Sequence, residues 1–176
     1  MTTKKSIELV KEGFANGVAP GGPLDDYQKN EMIQKAAKAF GEFLDALNCD
    51  WRNDPNIRAA SEQSKPLIWE DHIRWLTHTL QSDSQHVFIG EQDGVPIGVV
   101  RFSVEDNQAL VSLALAPAAQ GKGFGKSLLA LGIAQIGSMP IRARIRSDNV
   151  ASRNCFAACG FVETSRDKGF CCYNYN

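Results

Sequence analysis

The hydrophobic pattern of this chain changes period near residue 82, and that change limits the folds open to it. Upstream, Ile33, Ala36, Ala37, Phe40, Phe43, Leu44 and Leu47 recur at helical spacing and predict an amphipathic helix over 25–47, with Asp25 or Asp26 as its cap. A shorter helix is predicted over 51–60. Pro66 is expected to open another, with Trp69, Ile73, Leu76 and Leu80 on one stripe. The segment GVAPGGP at 17–23 carries too much Gly and Pro for a regular element. Downstream, short apolar runs alternate with turn residues. HVFIGE (86–91), IGVVRFSV (97–104) and ALVSLALAP (109–117) predict three consecutive antiparallel strands. A Gly-rich loop and a helix through Ser127, Leu128, Leu129, Leu131 and Ile136 follow, then a basic strand, IRARIR, at 141–146. A helix from about Val150 to Cys159 and two strands around Asp167-Lys168-Gly169 complete the chain. Helices first, then a sheet interrupted by two helices, describe an α/β or α+β layered domain.

Length and composition narrow the class further. At 176 residues the chain is about one domain's worth. With 43% hydrophobic and 22% charged residues it is neither a disordered tail nor a coiled-coil rod. The net charge of -1 gives no global attraction to nucleic acid or an anionic membrane, so neither is expected as a partner. The distribution says more: residues 1–120 carry 11 basic and 17 acidic groups, whereas 121–176 carry 8 and 3. An anionic ligand is best received in the last third. No run of ~18 apolar residues exists, and the amino terminus lacks the apolar stretch of a secretory signal, so a soluble cytoplasmic protein is expected. The five cysteines form no paired CxxC knuckle. Cys155 and Cys159, four apart, share a helix face as two metal ligands do, but the histidines (His72, His78, His86) lie far upstream; small apolar side chains in a reducing compartment, with no metal, are expected.

The segment Gln120-Gly121-Lys122-Gly123-Phe124-Gly125-Lys126-Ser127 lies between an apolar strand and an apolar-periodic helix. Such a turn aims backbone N–H groups and the positive end of a helix at one point, where an anion belongs. Its glycines let a phosphate approach the backbone, and Lys122 and Lys126 add charge; alternatively the loop only needs positive φ at several positions. A Walker A loop would need Gly where the chain has Gln120, and too little chain follows it for a nucleotide-hydrolase core. A Rossmann G-x-G-x-x-G is not met, because Gly121, Gly123 and Gly125 are spaced by two.

The pattern that fits resembles the GNAT superfamily of acetyl-CoA-dependent N-acetyltransferases. Their loop, [Q/R]-x-x-G-x-[G/A] after a strand that often ends in Pro, matches Gln120 to Gly125 after Leu113-Ala114-Leu115-Ala116-Pro117. A second motif, Asn-x-x-Ala/Ser followed by Tyr/Phe and Gly-Phe, matches Asn149, Ser152, Phe156 and Gly160-Phe161. The resemblance covers roughly 50–176, so 49–176 is expected to be the acetyltransferase domain and 1–48 an additional segment. It implies a mixed, mostly antiparallel sheet with helices on both faces. KSIELVKEGF (5–14) is the candidate for the family's first strand. The helix in 1–48 would pair with a second subunit in a homodimer, cover the cleft, or be the remnant of a fused partner.

The resemblance also implies a mechanism. Backbone N–H groups of Gly121, Lys122, Gly123, Phe124, Gly125 and Lys126, with Gln120, would hold the pyrophosphate of acetyl-CoA as cosubstrate. The strand Leu113, Ala114, Leu115 would splay from its neighbour, receive the pantetheine arm and polarise the acetyl carbonyl. Peptide N-terminal acetyltransferases of the superfamily place a Glu base where this chain has Arg144 and a Tyr acid where it has Phe156. Phe156 either packs along CoA or is a core aromatic. Asn149 either caps a helix or holds a water near the amine.

Losing both groups counts against peptide substrates and favours a less basic small-molecule amine, such as that of an amino sugar. Trp51-Arg52-Asn53-Asp54-Pro55, Ile68-Trp69-Glu70-Asp71-His72 and Gly98-Val99-Val100-Arg101-Phe102-Ser103 resemble sugar N-acetyltransferases acting on nucleotide-linked amino sugars of the pseudaminic and nonulosonic acid pathways. That resemblance would place Trp51, Arg52, His72 and Trp75 over the acceptor. The tryptophans either stack on a sugar or sit in the core, Arg52 and Arg101 either meet a phosphate or are solvated, and His72 is a candidate base. Two rivals remain open: a protein or peptide N-acetyltransferase of the ribosomal-protein type, which predicts an open acidic groove, and a CoA-binding module without catalysis.

Overall fold

The computed structural model describes residues 8–11, 18–19, 22–23, 50–61, 65–68, 71, 74–75, 78–79, 82–93 and 95–175. The strands are β1 (Glu8–Lys11), β2 (Val18–Ala19), β3 (Gly22–Pro23), β4 (Gln85–Gln92), β5 (Val95–Glu105), β6 (Gln108–Leu115), β7 (Ile141–Arg146), β8 (Val162–Asp167) and β9 (Phe170–Tyr175). The helices with defined bounds are α1 (Asp50–Asn53), α2 (Pro55–Ala60), α3 (Phe124–Ile136) and α4 (Val150–Ala158). Among the described residues, seven strands form one sheet in the order β1-β4-β5-β6-β7-β9-β8. Its neighbours are antiparallel except β6 and β7, which run parallel because α3 carries the chain across between them. The candidate first strand within 5–14 forms at Glu8–Lys11, where Glu8 pairs with Glu91 and Lys11 with Phe88.

Alternation along each strand sends one set of side chains to each face. On one face Phe102, Val111, Ala143, Ile145 and Tyr173 pack with Leu128, Leu129 and Ile133 of α3 and Phe156 of α4. On the other, Ile89, Val99 and Ala114 meet Trp51 and Trp75. The sheet is therefore covered by helical residues on both faces, as the resemblance implied.

Three sequence expectations need correction. The segment 17–23 is not wholly irregular: Val18 pairs with Pro23 and Ala19 with Gly22, because Gly and Pro shorten a ladder without forbidding one of two rungs. The helix expected over 51–60 is two helices. Pro55 disfavours a helical residue before it, and Asp54 becomes the cap of α2, its Oδ1 accepting from the Ile57 N–H at 3.2 Å. Pro66 does not open a helix. Asn53 holds Leu67 outside any helix, its Oδ1 accepting from the Leu67 N–H at 2.8 Å and its Nδ2 donating to the Leu67 carbonyl at 3.4 Å. Asp71, Arg74, Trp75, His78 and Thr79, further on, are helical. The helix expected over 25–47 lies outside the described residues.

Candidate active site

β6 and β7 part company halfway along. Their ladder has three rungs, Ala109 to Ile141, Leu110 to Arg142 and Val111 to Ala143, after which β6 continues to Leu115 and β7 to Arg146 without another. Each stays paired on its far side, β6 with β5 out to Gly98 and Leu115, β7 with β9 out to Arg146 and Phe170. The Ala109 N–H donates toward β7, to the Pro140 carbonyl at 2.9 Å, and the Ala116 N–H donates toward β5, to the Ile97 carbonyl at 3.0 Å. With a period of two, the N–H and carbonyl groups of Leu113 and Leu115 face the gap. The gap opens into a cleft of ≈ 830 Å³.

At the end of β6 the chain turns through Pro117–Ala119 into the Gly-rich loop. Gln120 braces the turn: its N–H donates to the Pro117 carbonyl at 3.3 Å and its Nε2 to the Leu115 carbonyl at 3.4 Å. Gly121 at φ 70° and Gly123 at φ 84° hold the left-handed conformation that carries the chain into α3. Among the described residues, the N–H groups of Gly121, Lys122 and Gly123 have no bonding partner, and those of the first turn of α3 have none within the helix. A Cβ on Gly121 or Gly123 would meet nothing within 4 Å, so the space above the loop is open. Converging unpaired donors, a helix amino terminus and nearby Lys126 suit a diphosphate in chemistry and in room.

Of the residues expected at the cofactor, Leu113, Ala114, Leu115, Gln120, Gly121, Gly123, Gly125, Lys126, Asn149 and Phe156 line the cleft. Lys122 is exposed, and Phe124 packs against Ile97, Ala116 and Ala119 instead. Asn149 caps α4, its Oδ1 accepting from the Ser152 N–H at 3.1 Å, while its Nδ2 donates to the Ala60 carbonyl at 3.4 Å and ties α4 to the end of α2. Phe156 is 3% exposed and meets Phe161 edge-on at 5.0 Å, so it belongs to the core as well as to the cleft wall.

On the acceptor side, Trp75 lines the cleft, with the Arg101 guanidinium 5.1 Å from its ring centre. Trp51 packs into the apolar clusters around Ile89 and Ile97 and is not among the lining residues. Arg52 is described in backbone only, within α1, and His72 lies outside the described residues. The sequence reading did not single out Cys155 or Phe170 as cleft residues. Phe170 is brought there by its register opposite Arg146, and its ring carries the Arg144 guanidinium at 4.0 Å. Burial, chiefly, pushes the Cys155 thiol up to about 11 and raises its neighbour Cys159 too, so both are neutral thiols. Among the described residues no group of three or more His, Cys, Asp or Glu is placed to hold a metal ion, and no helix is long and apolar enough to cross a membrane.

The sequence model of the acetyltransferase (GNAT) family matches residues 42–161. No curated protein matches the sequence. Among solved structures, the chain is similar to the Campylobacter jejuni N-acetyltransferase PseH in complex with acetyl coenzyme A, with 18% identity over 97% of this chain and 98% of that one and a TM-score of 0.59. It is also similar to a Vibrio cholerae spermidine N-acetyltransferase in complex with CoA and spermine (14% identity, 96% and 92% covered, TM-score 0.64). A Staphylococcus aureus N-acetyltransferase shares 19% identity, with 75% and 93% covered and a TM-score of 0.61.

Proposed function

Since the chain belongs to the acetyltransferase (GNAT) family and is thus an acetyl-CoA-dependent N-acetyltransferase, we propose that it acetylates the primary amine of an amino sugar, by direct attack in a ternary complex formed in the β6–β7 cleft. The observation that carries this reading is the meeting of two features at one place: strands that separate after Val111 and Ala143, and a loop of unpartnered N–H groups at the end of the separated strand.

Acetyl-CoA supplies the thioester whose acetyl group moves and whose thiolate leaves. The rest falls to residues of this chain. Gly121 to Lys126 hold the pyrophosphate by backbone N–H groups and the α3 amino terminus. The N–H of Leu113, facing the gap, donates to the acetyl carbonyl oxygen as negative charge develops there. Arg144, where peptide N-terminal acetyltransferases of the superfamily carry a Glu, stacks on Phe170 and offers no carboxylate to serve as the base. Phe156 has no hydroxyl to give a proton to the thiolate, so the proton lost by the attacking nitrogen is the one that the departing thiolate takes up. An amine that deprotonates readily is therefore required, and an amino sugar's, flanked by electron-withdrawing hydroxyls, meets that need better than an alkyl amine. The sequence resemblance around Trp51, Ile68 and Gly98 and the placement of Trp75 in the cleft support the same substrate. The acidic groove expected of a peptide acetyltransferase has no support: Asp71 is the sole carboxylate among the described lining residues.

The test is thiol release from acetyl-CoA against amino sugars, polyamines and peptides. Turnover with an amino sugar at a kcat/KM above that for every polyamine and peptide is expected. Turnover confined to peptides or polyamines would contradict the substrate class.

A further inference from the structure

Two pairs of cysteines lie close in the sequence, and the fold treats them oppositely. Cys171 and Cys172 are adjacent on β9, whose period of two turns their sulfurs apart: Cys171 is buried in the core beneath α3 and α4, and Cys172 is half-buried. Cys155 and Cys159 are one helical turn apart, Cys159 being the residue that ends α4, and their thiols hydrogen-bond each other. The Cys159 thiol also donates to the Lys126 carbonyl, at 3.6 Å. Both are half-buried, so both can be reached.

The pair stands in the wall of the cleft. Cys155 lines it, with its sulfur packed against the loop: a Cβ on Gly125 would lie only 3.2 Å from that Sγ. The sulfur therefore has no room to grow toward α3, and any group bonded to it must either enter the cleft or displace the loop.

The chemistry of the pair selects what it can hold. Among the described residues no third His, Cys, Asp or Glu joins it, so the four ligands of a structural zinc are not assembled there. Two sulfurs side by side suit a soft centre that takes two. Burial keeps both thiols protonated at neutral pH, which slows any reaction that must begin from a thiolate. Condensation with a trivalent arsenical of the form R–As(OH)2 consumes protonated thiols. Two As–S bonds form, two As–O and two S–H bonds break, and each thiol proton leaves with a hydroxide as water, with arsenic trivalent throughout.

We propose that Cys155 and Cys159 form a dithiol site in the cleft wall that captures monosubstituted trivalent arsenicals, and that its occupation excludes acetyl-CoA. The capture follows from the thiol pair alone. The exclusion rests on the cofactor lying in this cleft.

The test treats the full chain with phenylarsine oxide, with and without saturating acetyl-CoA. The tryptic peptide 154–166 contains Cys155 and Cys159 and no other cysteine, so its mass reads the capture in the unsubstituted protein. Phenylarsenic should appear on that peptide, withstand a monothiol and be released by 2,3-dimercaptopropanol, because two bonds to one chain reinforce each other. Acetyl-CoA should slow the capture, and the treated chain, its far-ultraviolet spectrum preserved, should bind acetyl-CoA at least about tenfold more weakly. Capture should be lost in Cys155→Ser and in Cys159→Ser and kept in Cys172→Ser. Absence of phenylarsenic from 154–166, its release by a monothiol, its persistence in both the Cys155→Ser and Cys159→Ser variants, or unchanged acetyl-CoA affinity in the captured chain would overturn the proposal. No capture in a chain that binds acetyl-CoA would leave the cofactor site standing while the dithiol site falls. Capture in a chain that binds no acetyl-CoA even before treatment would leave the dithiol site standing, while the cofactor site and the exclusion that rests on it fall.

Discussion

A Cβ placed on Gly132 would lie 2.8 Å from Val100 Cγ1 and 3.1 Å from Phe102 Cε2, so α3 rests on the sheet through a residue with no side chain. Gly132→Ala should cost about 1–3 kcal/mol of unfolding free energy in urea, as overpacking of a filled core does, and leave acetyl-CoA affinity unaltered. A loss of affinity equal to the loss of stability would contradict the separation of core and loop roles. Cys155 gives a second prediction at this scale. Its thiol is raised from an ordinary 9.0 to about 11, mainly by burial, so the folded chain holds a proton that the unfolded chain gives up. That contribution to stability is complete below about pH 9 and is lost as pH rises through about 11. The wild type should therefore lose stability more steeply over that interval than Cys155→Ala; parallel pH curves would refute the assignment. The motif spacing pointed to Gly121, Gly123 and Asn149, because a turn glycine and a helix cap are local features. Cys155 and Phe170 were not legible as cleft residues, since what brings them there is helix packing and strand register.

At the scale of elements, period alone located the strands after residue 82 to within a few residues, and α3 and α4 nearly to their ends. Local chemistry failed where a distant side chain decides. The Asp54-Pro55 break was readable in retrospect as a cap followed by a helix-opening proline, whereas the non-helical Pro66–Ile68 stretch depends on Asn53, 14 residues away from Leu67. The separation of β6 from β7 has no local signature either. On the far side of the sheet, α4 is fastened to β8 and β9 by Arg153, which donates to Tyr173 Oη at 3.2 Å and to Glu163 Oε2 at 3.4 Å; Tyr173 in turn donates to Glu163 at 3.1 Å. Arg166, first of all, and then Tyr173 hold the Glu163 carboxyl below the usual range. A carboxyl so lowered stabilises the fold above its ordinary pKa and ceases to as pH falls through the folded value. Arg153→Ala should lower the melting temperature by a few degrees, and the wild type should lose more melting temperature on acidification than Glu163→Gln. Identical acid profiles would show that the network does not hold the helix.

Across the whole molecule, the uneven charge along the chain acquires a geometry. Part of the basic excess in 121–176 is used locally, Arg146 by Asp148 and Arg153 and Arg166 by Glu163, while Lys126 and Arg144 line the cleft. β1 belongs to the same sheet as the cleft, so a strand from the first residues takes part in the fold that shapes it. The division between 1–48 and 49–176 is retained as a proposal about function; among the described residues, those that line the cleft run from Ile57 onward. The proposed function depends on one proposed site for acetyl-CoA, in the gap between β6 and β7 under the Gly121 to Gly125 loop. Calorimetric titration of acetyl-CoA into the wild type and into Gly123→Val tests it most directly. Gly123 holds φ 84° with open space around its missing Cβ, so valine there must either strain the loop by roughly 1–3 kcal/mol or turn its N–H groups away from the ligand. Affinity should fall at least about tenfold in Gly123→Val, with the far-ultraviolet spectrum preserved. Equal affinity in a folded variant would contradict the assignment of the loop, and with it the site.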